Sequence, residues 1–179
     1  MYNYSVRYDL FFIHIPKTAG TSIHTALEIE PDRRGHRTLE TLYDLYGTTV
    51  LKTPCFTVVR NPWDRMVSLY EFRKQKKDIP SSYSFKEWLL KGAVSIIERM
   101  NCVDIVALDG TKPVEVLRYE NLAQEWNNFA IKYKIETKEL PKLNAADRRA
   151  DYRNYYDQES LKLVEKVFEK DIKQFNYNF

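Results

Sequence analysis

The run FFIHIPKTAGTS, Phe11 to Ser22, constrains this chain more than any other stretch. An almost unbroken apolar segment ends in a short loop with one cation, one glycine and several hydroxyls, and helical spacing resumes after it. A strand that feeds a small polar loop and then a helix is the usual way an α/β protein presents a phosphate, because the first helical amides point outward unpaired. Pro16, Lys17, Thr18, Ala19, Gly20, Thr21 and Ser22 are therefore candidates to hold an anion.

The neighbouring patterns supply the elements around that loop. Residues 8–15 form a nearly continuous apolar run, as in a parallel strand covered on both faces, and residues 21–28 read as the following helix. In residues 36–47, Leu39, Leu42, Tyr43 and Tyr46 recur at helical spacing and Gly47 supplies a stop. Residues 55–59 predict a second buried strand. Asn61, Pro62 and Asp64 then provide an N-cap, a proline at the first helical position and an acid in the first turn. This is a second strand-to-helix junction, with Arg60 where the first has Lys17.

Farther along, residues 84–92 read as a short helix and residues 103–122 as two strands about an Asp109-Gly110 turn. Residues 121–135 predict an amphipathic helix with Leu122, Trp126, Phe129, Ala130 and Tyr133 on one face. Residues 139–156 read as a loop and residues 157–175 as one closing helix. No repeat or long linker divides the chain, so a single domain over residues 1–179 is expected.

Composition excludes several classes. Lysine and arginine number 28 against 25 aspartate and glutamate, a net +3 that is too mild for general nucleic-acid binding and suits a local cationic pocket. Two cysteines, Cys55 and Cys102, stand outside any CxxC or Cys/His spacing, which argues against a disulfide framework and a structural zinc. No apolar run approaches the ~18 residues of a membrane span, and the first residues lack the basic-then-apolar order of a signal peptide. A soluble, cytoplasmic protein is the expectation.

The junctions narrow the chemistry. A triphosphate loop of the form G-x-x-x-x-G-K-[ST] ends in its lysine, whereas here Lys17 precedes Gly20 and Pro16 stands in place of a loop glycine. The second strand ends in Arg60, where a magnesium-dependent enzyme commonly places an acid, so no metal is called for. Arg60 either receives an anion or simply pairs with Asp64; its spacing from Ser68 favours a second phosphate held by both. Two anion sites at neighbouring strand ends imply a ligand phosphorylated on both sides of a ribose. Two rivals remain, a kinase-like P-loop enzyme and a non-catalytic nucleotide-binding relative.

FFIHIPKTAGTSI followed by FTVVRNPWDRMVSLYEF resembles the paired signatures of sulfotransferases that use 3′-phosphoadenosine 5′-phosphosulfate (PAPS). VLRYENL and the run from LPKLN through YRNYYDQES to VFEKDIKQFNYNF are similar to the later part of the carbohydrate branch, the heparan- and chondroitin-like enzymes. The resemblance implies a three-layer α/β fold of P-loop type, with a central parallel sheet flanked by helices and ligands at the strands' carboxyl ends. It implies PAPS as co-substrate, no metal, and a glycan or oligosaccharide acceptor whose hydroxyl receives the sulfuryl group in line. Residues 16–22 would hold the 5′-phosphosulfate, with Lys17 on the leaving oxygen. Arg60 and Ser68 would take the 3′-phosphate, and Lys142, Asn144 and Tyr152 would close over the nucleotide. A Gly-His element between the signatures of such enzymes makes His36, after Gly35, the expected base. His14 is expected to pack inside the first strand, Glu40 to orient His36 or face water, and Glu120 to support the fold.

Overall fold

A computed structural model describes residues 1–91, 96–107, 112–137, 139–141 and 151–179. In chain order the elements are β1 (Tyr4–Ser5), β2 (Leu10–Ile13), α1 (Gly20–Ala26), α2 (Leu39–Tyr46), α3 (Thr48–Lys52), β3 (Cys55–Val59), α4 (Pro62–Gln75), α5 (Phe85–Leu90), α6 (Ile96–Arg99), α7 (Cys102–Val106), β4 (Val114–Arg118), α8 (Leu122–Lys132), α9 (Gln158–Val167) and α10 (Glu169–Phe175). They fall into two compact units, Met1–Val59 with Asp104–Asn144, and Arg60–Val103 with Ala145–Phe179.

The first unit carries the sheet, in the order β1-β2-β3-β4. β2, β3 and β4 run parallel, with Phe12 opposite Phe56 and Thr57 opposite Val116; the apolar runs predict this for β2 and β3, whereas β4 pairs with β3 rather than with a hairpin partner from residues 103–106. The two-residue β1 is an addition to that expectation, pairing antiparallel to β2 at the edge. Every residue of β2 and β3 is buried. Leu10, Phe12, Phe56 and Val58 pack with Ile23 and Leu27 of α1 and with Trp126 and Phe129 of α8. Burial of each large side chain stabilises the fold by roughly 1.5–3 kcal/mol, which makes this layer the main source of order in the unit. The α8 face is the one its spacing predicts, and Trp126 Nε1 finds its polar partner in the Thr137 carbonyl at 2.9 Å.

In the second unit, α4 starts as its sequence dictates. Asn61 Oδ1 accepts from the amides of Trp63 at 3.0 Å and Asp64 at 3.3 Å, and Pro62 takes the first helical position. Ser84 and Glu87 close a capping box on α5.

Two expectations are corrected. Val103, Ile105 and Val106, β-branched and apolar, belong to a helix, α7, rather than to a strand. The reason is remote: the carboxylate of Asp171, fully buried, accepts from the amides of Cys102 at 2.7 Å and Val103 at 3.0 Å and so caps that helix. The closing helix is two helices, broken at Phe168 with φ −109° and ψ 27°. Within the stretch expected to be a loop, Tyr152–Tyr155 forms a 3-10 turn. The Asp109-Gly110 turn lies outside the described residues.

Candidate functional site

The first junction is built as a tight, strained loop. β2 stops at Ile13, and Lys17 and Ala19 both take left-handed backbone, φ 68° and 66°, before α1 opens at Gly20. Such conformations cost about 1–2 kcal/mol each in non-glycine residues and persist where the surroundings over-determine them, commonly at ligand sites. Pro16, Gly20 and Ser22 are buried, whereas Lys17, Ala19 and Thr21 are half-buried. Thr18 is fully buried and its hydroxyl donates to the Ile15 carbonyl at 2.8 Å, so the hydroxyl expected to meet an anion is engaged within the loop.

All three histidines gather beside this loop. His14 lies one residue beyond β2, not within it as expected, and its Nδ1 stands 3.2 Å from His24 Nε2 on α1. The His14 ring also meets His36, with centroids 4.1 Å apart and planes at 49°. Burial is the first cause that drives the His14 pKa well below the ordinary histidine value, with His36, His24 and Lys17 adding to it. Burial, Arg34 and His36 bring His24 down to about 3. Both rings are therefore neutral at pH 7. His36 itself is exposed, in the irregular segment before α2. The buried Asn3 holds that segment from β1's side: its Nδ2 donates to the Gly35 carbonyl at 2.8 Å and its amide to the Arg33 carbonyl at 2.9 Å. Among the described residues no three His, Cys, Asp or Glu side chains converge as metal ligands. The sequence carries no local signal for Asn3 or His24 at this site, because their partners lie 10 or more positions away.

The second junction lies in the other unit. Arg60 stands just before the Asn61 cap, with Asp64 and Ser68 four and eight positions on in α4, and all three are buried. Arg60 Nε donates to Asp64 Oδ2 at 2.7 Å, so the pairing weighed from the sequence does form. Two tyrosines feel the same carboxylate: the pKa of Tyr152 is raised by burial first and then by Asp64 among others, and that of Tyr156 by burial and Asp64. Tyr156 donates its hydroxyl to the Trp63 carbonyl at 2.9 Å. Tyr152 thus stands near the head of α4, while Lys142 and Asn144 lie outside the described residues.

The model of the sulfotransferase family matches residues 1–178 of the chain. Among solved structures, the fold is similar to that of the mouse sulfotransferase SULT7A1 complexed with PAP, at TM-score 0.58 and 16% identity, covering 95% of this chain and 86% of that one. At that identity the likeness speaks for the fold. No curated protein matches the chain.

Proposed function

The chain belongs to the sulfotransferase family, and from that premise we propose that it transfers the sulfuryl group of PAPS to a hydroxyl of a carbohydrate-type acceptor. The observation that carries the reading is the first junction: a lysine and a glycine in a strained loop at a strand's end, with a histidine cluster alongside. Each junction offers a cation with hydroxyls and amides, a donor set that suits anionic oxygens. The mouse enzyme, solved with PAP, supports the choice of nucleotide.

PAPS supplies an activated sulfuryl group, whose departure leaves negative charge on the oxygen that bridged it to the phosphate. Lys17 is the residue to meet that charge, and a preorganised cation acts most strongly where charge develops. Residues 16–22 hold the phosphosulfate, Thr18 through its backbone. Arg60 and Ser68 hold the 3′-phosphate, with Asp64 fixing the plane of the guanidinium, and Tyr152 lies with them. His36, exposed, in ring contact with His14 and following the Gly35 carbonyl that Asn3 holds, takes the proton of the acceptor hydroxyl as the new bond forms. A sugar hydroxyl fits the carbohydrate-branch likeness of residues 116–122 and the Gly35-His36 element. Cytoplasmic action belongs to the same reading.

Calorimetric titration of metal-free protein with PAP, beside 5′-AMP and ATP with magnesium, tests the nucleotide. Binding that depends on the 3′-phosphate supports the proposal and justifies an acceptor screen with PAPS. A preference for ATP with magnesium overturns it in favour of the kinase-like reading.

A further inference from the structure

The three histidines have a mutual geometry that transfer chemistry alone does not explain. His24 is 1% exposed, and its Nδ1 is buried without a hydrogen-bond partner. An orphaned buried N–H is rarer and more costly than an orphaned lone pair, so the His24 proton belongs on Nε2. From there it is donated to Nδ1 of His14 across 3.2 Å. A neutral imidazole that accepts at Nδ1 carries its own proton on Nε2, and that edge of His14 lies over Gly20. One contact between two residues of the first unit thus sets the tautomer and the ring plane of His14.

The His14 ring is what His36 rests on. His36 belongs to no helix or strand, and a base in an irregular segment needs its imidazole held if it is to meet a hydroxyl in one orientation. Asn3 holds the backbone just before it, and the ring contact at 4.1 Å holds the side chain. When His36 takes a proton, the cation lies against a neutral aromatic ring, which is favourable; a second cation in that place would oppose the transfer.

We propose that His14 is a positioning residue for His36, with its tautomer fixed by His24, so that the three histidines act as one braced set. The proposal rests on the reading of His36 as the base.

Long-range nitrogen–proton correlation spectra of 15N-labelled protein at pH 7 test the tautomers without reference to activity. Both His14 and His24 are expected as neutral Nε2–H rings; a Nδ1–H tautomer at His14, or rapid averaging there, overturns the proposal. Kinetics test the positioning. His14→Ala is expected to lower kcat at least tenfold, with the KM for PAPS and the Kd for PAP within twofold of the parent. His24→Leu is expected to lose kcat in the same manner, and His24→Gln, which restores an N–H donor, to recover most of that loss. Should His14→Ala not fold, the His24 pair decides: equal kcat in Leu and Gln overturns the proposal. If His36→Ala loses turnover while His14→Ala keeps it, the bracing fails and the base stands. If His36→Ala keeps turnover, the base reading itself fails, whatever the spectra show.

Discussion

His14 Nε2 lies 1.7 Å from the place a Cβ on Gly20 would occupy, so the glycine that opens α1 is there because an imidazole fills the space of its missing side chain. The contact joins the residue after β2 to the head of α1.

Gly20→Ala should therefore destabilise the protein by about 1–3 kcal/mol, the usual cost of overpacking, since the ring must leave His24 to admit a methyl group. In denaturant melts, combining it with His14→Ala should recover part of the loss. Strict additivity of the two changes would show that the clash is relieved elsewhere.

Lys17→Ala should reduce kcat roughly 100- to 1,000-fold, the range for loss of one group that stabilises developing charge. Steady-state assays with PAPS and an accepted sugar check this. A purely binding role for Lys17 would raise KM and leave kcat in place.

Arg60→Ala should weaken PAP roughly 10- to 100-fold, the equivalent of one charge-assisted hydrogen bond, and leave 5′-AMP unaffected. Equal losses for both nucleotides would mean that Arg60 serves α4 through Asp64 rather than the 3′-phosphate.

Stability should fall as pH drops below the ordinary histidine value of 6.5. His14 and His24 have folded pKa values depressed below that of the unfolded chain, the second to about 3. Above pH 6.5 both states hold these rings neutral. Below it the unfolded chain takes up protons that the fold refuses, which costs about 1.4 kcal/mol per pH unit for each ring until the folded pKa is reached. His36, Lys17 and Arg34 face the pair and oppose its protonation. Urea midpoints between pH 7 and 5 should decline in the parent and decline less in His24→Gln.

Asp171→Ala should cost about 3 kcal/mol or more, well beyond the ~1 kcal/mol of an ordinary cap. Two amides of α7 lose their acceptor, and Arg65, itself 1% exposed and 4.0 Å from that carboxylate, keeps a buried charge. Thermal melts check this, with Asp171→Asn, which keeps one acceptor oxygen, expected between the parent and Ala.

What the sequence alone determined was local. The buried strands β2 and β3, the cap of α4 by Asn61 and Pro62, the stop of α2 at Gly47 and the two cationic junctions all depend on residues within a few positions of one another. Periodicity and capping chemistry express such short-range forces directly. Tertiary structure decided the rest. Residues 103–106 have strand-like composition, yet a carboxylate 69 positions from Cys102 caps them as a helix. His14 after β2, His24 on α1 and His36 before α2 form one cluster only because packing brings those segments together. A contact between side chains from separate elements leaves no period in the sequence, so packing alone could disclose it.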